Sequence, residues 1–181
     1  MKKALLLIVV GSLMAAPALA QKLITKTAHV HFYSHTPVED IEADNHQTLS
    51  VLNLEDGKVA FSLLMKSFEF EKALMQEHFN EKYVESSTYP KATFKGDIDN
   101  IETVNFKKNG TYEVKVSGTM TMHGKSQPVT TTGTITVEKG NVSILSTFNI
   151  KPVDYEINIP GVVADKIASE IACTVKAKYT L

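Results

Sequence analysis

The chain has 181 residues and a formal net charge of −1, with 20 acidic residues set against 19 basic ones, all of them lysine. Without a basic excess or any arginine, it lacks the electrostatic footprint and the bidentate phosphate- and guanine-reading groups of a nucleic-acid binder. Its hydrophobic share of 43% is enough for one domain with a substantial core, and the single cysteine, Cys173, excludes an internal disulfide, so that core must hold the fold unaided.

The first twenty residues have the three-part pattern of an export signal. Lys2 and Lys3 make a positive start, Ala4–Met14 is an apolar run, and Ala18-Leu19-Ala20 is a small-x-small cleavage pattern. The run is too short to span a bilayer comfortably and no stop-transfer stretch follows, so stable membrane insertion is not expected. Cleavage before Gln21 leaves 21–181 as one exported domain, periplasmic or secreted, with no cysteine at the cleavage site to take a lipid anchor. The oligomeric state stays open, a homodimer included.

From there the dominant period is two, the mark of strands with one dry and one wet face. The first expected strand, Leu23–Ser34, puts Ala28, Val30 and Phe32 on one side and His29, His31 and Tyr33 on the other, with His35 continuing that side. Strands at about Thr48–Leu54 and Val59–Phe68 follow. Glu69–Glu85 then changes to helical spacing: Leu74, Met75, His78, Phe79 and Tyr83 oppose Glu77, Asn80 and Glu81. Pro90 returns the chain to extended structure. Alternation resumes over Ala92–Ile98, Tyr112–Met122, Val129–Val137, Val142–Ile150 and Ile171–Tyr179, with a short helical piece expected around Val162–Ser169. Asp56-Gly57 and Asn109-Gly110 are the strongest tight-hairpin signals, because two-residue turns need positive φ. Gly124-Lys125-Ser126 and Gly140-Asn141 are weaker ones.

About eight amphipathic antiparallel strands and one helix predict an all-β closed barrel, with a sandwich as the competing architecture. What such a barrel does depends on its interior. Large inward residues (Phe61, Phe94, Phe148, Met120, Met122) are mixed with Ala92, Ala177, Gly96, Gly118 and Gly133. Three glycines on three inner faces point to a cavity; the competing reading is that they mark bends needed for closure. Met65, Met75, Met120 and Met122 suit an irregular apolar ligand, or fill gaps in a core.

Two segments, TYPKATFKG at Thr88–Gly96 and VSGTMTMHGKSQPV at Val116–Val129, resemble the YceI-like family, and the likeness runs from Leu23 to Tyr179. Members are exported, lipocalin-like barrels that bind polyisoprenoid or other long-chain lipids. The resemblance implies an isoprenoid or fatty-acyl-type lipid in the barrel, its tail against Phe32, Phe61, Leu63, Met65, Phe94, Met120, Met122, Ile144 and Phe148, with Gly118 giving it room. The family often carries an arginine-containing segment where this chain has Phe148–Pro160, so a charged head group here would be met by lysine or backbone N–H groups.

The remaining candidates point away from catalysis. The sequence has no nucleophile elbow, HExxH motif or P-loop, so neither an enzyme nor a cofactor is expected. His29 and His31 have strand spacing suited to zinc or copper, but their face reads as the wet one and no metal is assigned. His78 and Glu81, i and i+3 on the helix, lack the second pair that carboxylate-bridged sites need. His123 either bonds turn backbone or touches a head group at the barrel mouth. Cys173 shares an inward face with Ile171 and Val175 and reads as core. The expected function is storage, carriage or sequestration of a lipid in the periplasm with the Glu69–Glu85 helix as a lid, a filled structural barrel being the alternative and a histidine metal carrier behind it.

Overall fold

In a computed structural model describing residues 22–181, eight strands close into a barrel in chain order, each antiparallel to its neighbours and the last returning to the first. They are β1 (Lys22–His35), β2 (Asp40–Asn53), β3 (Lys58–Leu64), β4 (Lys91–Ile98), β5 (Gly110–Met122), β6 (Lys125–Glu138), β7 (Asn141–Ile150) and β8 (Ile171–Thr180). The export signal expected over 1–20 lies outside the described residues.

Inward positions follow the two-residue period. On β5, Val114 and Val116 are buried between exposed Glu113 and Lys115. Residues at one end of the strands, among them Leu52, Ile98, Ile135, Val142 and Tyr179, pack into one cluster that fills that end. There the buried hydroxyls of Ser50 and Tyr179 lie 2.5 Å apart and tie β2 to β8 across the core. A second cluster at the other end joins Val30, Ala92 and Met122 to Met65, Phe68, Val84, Tyr155 and Ile157, which come from the connections rather than the strands.

The turns differ from the sequence reading. The tight hairpins are His123-Gly124 (φ 52° and 72°) between β5 and β6, and Lys139-Gly140 (φ 48° and 78°) between β6 and β7. Both put two positive-φ residues in a two-residue loop, which matches the twist of the flanking strands. Asn109-Gly110 forms no such turn; Gly110 opens β5 after a longer connection containing a 3-10 turn at Ile101–Thr103. Asp56-Gly57 sits in a longer loop, closed by Gly57 N–H donating to Asn53 O at 3.0 Å.

The helix is shorter than expected. The strand expected to reach Phe68 ends at Leu64 in a 3-10 turn, Met65–Ser67, and Glu69 beyond it is extended, its backbone exchanging hydrogen bonds of 2.8 and 3.1 Å with Asp44 on β2. The α-helix α1 covers only Ala73–His78, and Phe79–Tyr83 winds on as a wider π turn. In place of a helix at Val162–Ser169 there is one 3-10 turn at Gly161–Val163.

Strand β2 begins eight residues before the expected Thr48, at Asp40, and pairs with β1 through a bulge: Val30 faces Asn45 but Ala28 faces Thr48. Buried Asn45 holds this irregularity. Its amide donates to Leu64 O at 3.1 Å, and its Oδ1 accepts from Gln47 N–H at 3.0 Å and the Thr48 hydroxyl at 3.1 Å. Both polar ends of the buried Asn45 side chain are thus hydrogen-bonded, as buried polar groups must be.

Candidate ligand-binding site

Between the filled end and the capped end lies a cavity of about 550 Å³. At about 30 Å³ per water-sized group, this is room for about eighteen. The walls come from inward positions of the strands, so their apolar character follows from the same alternation that builds the barrel. Of the residues named from the sequence, Phe32, Phe61, Leu63, Phe94, Met120, Met122, Ile144 and Phe148 line it. Several are only half-buried although they point inward, because they face the cavity and not a packed neighbour.

Two residues named from the sequence do not line it. Met65 is buried in a 3-10 turn, where it packs with Phe68, Val84 and Ala92 under the cap. Gly118 faces Gly96 directly across the β4–β5 pair, and the Phe94 ring lies over both. The space those glycines open is filled by the protein's own aromatic ring, which is then the wall the cavity sees. Gly133 does line the cavity.

The aromatic lining of the cap is the part that sequence reasoning missed. Phe68, Phe70 and Phe79 surround Phe32, with ring centroids 5.3, 5.7 and 5.6 Å from it in edge-on and offset geometries that aromatic rings favour. Leu74, Met75 and His78 of α1 continue this roof. The available signal was the pair Phe68-x-Phe70 just ahead of an apolar helical face, read instead as a strand end and a separate helix.

At the rim, Glu39, Lys72 and Lys166 also face the cavity. Lys72 Nζ lies 3.4 Å from one Glu39 oxygen and Lys166 Nζ 4.0 Å from the other, so two cations share one carboxylate. Glu39 is the only carboxylate and His78 the only imidazole among the described residues lining the cavity. Cys173 lies in the wall, and burial pushes its thiol up to about 12, which leaves it protonated and unreactive. The arrangement supplies shape and apolar contact, and among the described residues lining it no base is held against a nucleophile.

His123 does not line the cavity. Its Nδ1–H donates to Tyr155 O at 2.9 Å and its ring packs edge-on against Tyr89, while Lys125 pairs with Glu156 at 2.8 Å and Gln127 donates to Asp154 O at 2.6 Å. The His123-Gly124 turn therefore staples the connection after β7 to the barrel. Burial, with the charge of Asp154 behind it, pushes the Tyr155 phenol up to about 12. The face carrying His29 and His31 points away from the cavity, as the alternation with Val30 and Phe32 requires.

A sequence model of the YceI-like domain matches residues 22–179. A polyisoprenoid binding domain from Saccharophagus degradans, implicated in plant cell wall breakdown, superposes with a TM-score of 0.72 at 14% identity, covering 88% of this chain and 97% of that one. BcnA of Burkholderia cenocepacia superposes at 0.71 with 16% identity over 84% and 96% of the two chains. The YCEI protein of Campylobacter jejuni gives 0.63 at 13% identity over 81% and 88%. Comparison of the sequence with characterised proteins found no match.

Proposed function

The chain belongs to the YceI-like domain family, and on that footing we propose that its barrel binds one long-chain apolar lipid, of isoprenoid or fatty-acyl type, as a periplasmic carrier or store. The observation that carries this reading is the apolar cavity of about 550 Å³ between a packed end and an aromatic cap. Each methylene moved from water into such a cavity contributes about 0.8 kcal/mol, or roughly fourfold in affinity, so a long tail binds without any catalytic group. An acidic head group at the rim would meet Lys72 and Lys166, whose contacts with Glu39 are exposed and easily exchanged. The periplasmic setting rests on the export pattern of residues 1–20.

Native mass spectrometry of protein purified from the organism that makes it tests this directly. The expected result is a mass above that of the bare chain by one lipid, released on denaturation. A bare mass, with no uptake of C16–C20 fatty acids or isoprenoid alcohols offered in vitro, would leave a structural barrel without lipid cargo in its place.

The segment over the mouth is built to move. The helix α1 buries no residue fully, has no side-chain cap at its start, and leaves Leu74 61% exposed. Segments with so few buried contacts open at low free energy cost. Amide exchange across 70–84 is therefore expected to slow severalfold when the protein is loaded, while exchange in β5 and β6 stays put. Equal protection in both states would mean that this cap is not the gate.

A further inference from the structure

His29 and His31 alternate on the outer face of β1, two residues apart, and alone they supply two imidazoles. The fold brings β2 beside them in a register that the sequence does not reveal. Asp44 pairs opposite His31, and the bulge between Val30/Asn45 and Ala28/Thr48 turns His46 toward His29. The rings of His29 and His46 stack with centroids 4.5 Å apart. Asp44 Oδ1 lies 2.6 Å from His29 Nε2 and 3.0 Å from His31 Nδ1. One donor atom from each of His29, Asp44 and His46 falls within 4.8 Å of the other two.

We propose that these three residues form a binding site for a single divalent transition-metal ion on the outer wall of the barrel. Two imidazoles and a carboxylate suit zinc, nickel or copper, not calcium or magnesium, which prefer all-oxygen sites. Bonds of about 2.0–2.1 Å in tetrahedral geometry separate ligand atoms by about 3.3 Å. The His29–Asp44 hydrogen bond must then open by under about 1 Å, and the three donors must close up slightly. His46 must also leave its stack, since an ion lies in the plane of each imidazole that binds it; His46 is exposed and free to turn. The backbone that presents these groups is fixed. Asn45 pins the bulge between Asp44 and His46, and the Asp44 backbone is clamped by Glu69.

His31 stays on the carboxylate as a hydrogen-bond donor, the usual partner of a metal-bound carboxylate. Glu42, 3.7 Å from His31 Nε2, adds negative charge nearby. The opposing feature is Lys176, paired with His29 across the β1–β8 ladder; it is exposed, and its long stem lets the ammonium swing into water. The fourth coordination position faces solvent. The site lies outside the barrel, so it stands or falls independently of the lipid reading.

Calorimetric titration of the untagged protein with zinc chloride, in a buffer that does not chelate, tests the site. The expected result is saturable binding of one ion per chain, with no comparable binding of magnesium or calcium. His29→Ala and His46→Ala should each weaken it about tenfold or more. His35→Ala, which removes the neighbouring surface pair with Asp40, should leave it unchanged. A second readout uses the unaltered chain: long-range imidazole nitrogen spectra should show zinc-dependent shifts at His29 and His46 and none at His35, His78 or His123. Absence of saturable binding, full-strength binding in the His29→Ala/His46→Ala double variant, or shifts confined to other histidines would each overturn the proposal.

Discussion

Replacing Gly118 with leucine is expected to break the barrel rather than fill its cavity. A Cβ placed on Gly118 would stand 2.5 Å from Lys95 O, 2.6 Å from the Gly96 Cα and 2.6 Å from the tip of the Phe94 ring. Real Cβ atoms do not approach neighbours this closely, and two of the three obstacles are backbone, which cannot step aside without opening the β4–β5 ladder. Overpacking of a sound core typically costs about 1–3 kcal/mol. A clash against paired backbone belongs at or above the top of that range, so a loss of about 3 kcal/mol or more is expected, a large part of the stability of a small domain. Urea denaturation of the variant should show a midpoint far below the parent or no cooperative transition. An unchanged midpoint would mean that β4 and β5 part easily here and that the space above the glycines belongs to the cavity after all.

That result bears on what the sequence could and could not reveal. The alternation in Tyr112–Met122 and Val129–Val137 identifies both strands and their inner faces, because burial on one side of a pleat leaves a period that local sequence records. Whether an inward glycine leaves a hole is a different question. It depends on which side chain from the next strand lies over it, here Phe94 across the Gly96–Gly118 pair, and no local pattern records that. The same limit explains the helix. The apolar side of Glu69–Glu85 is real, but the isolated β-bridge between Glu69 and Asp44 of β2 holds the start extended, and the Asn80 side chain donates to Gln76 O at 2.9 Å inside the last turn.

The first half of β2 was hidden for a related reason. Asp40–Gln47 is rich in Asp, Asn and Glu, which are poor strand formers by themselves. These residues are extended because β1 pairs with them and Asn45 bonds the bulge in place. Tertiary pairing overrode local preference, and the side chains it aligned, Asp44 and His46, turn an isolated pair of histidines into a cluster of metal-ligating type. The aromatic underside of the roof escaped detection likewise, since Phe68, Phe70 and Phe79 reach Phe32 only once the connection after β3 folds over the mouth.

A substitution that does occupy the cavity should separate binding from folding. Val175 points inward from β8, opposite Val30 on β1 and Ser146 on β7, and it is only half-buried because it faces the cavity. Val175→Trp adds seven heavy atoms to a space that holds about eighteen water-sized groups. If the indole excludes only four methylenes of a bound tail, the loss is about 3 kcal/mol, or more than about a hundredfold in affinity. The added ring grows into open volume instead of backbone, so the urea midpoint should stay near that of the parent, the opposite of Gly118→Leu. Lipid retained on purification, measured by native mass spectrometry, should fall to background in this variant. Full loading at unchanged stability would place the tail elsewhere, and a collapse in stability would mean that the interior around Val175 is packed. The first outcome would move the lipid out of this cavity, and the second would remove the ground for a carrier, because the tail needs this volume and the barrel does not.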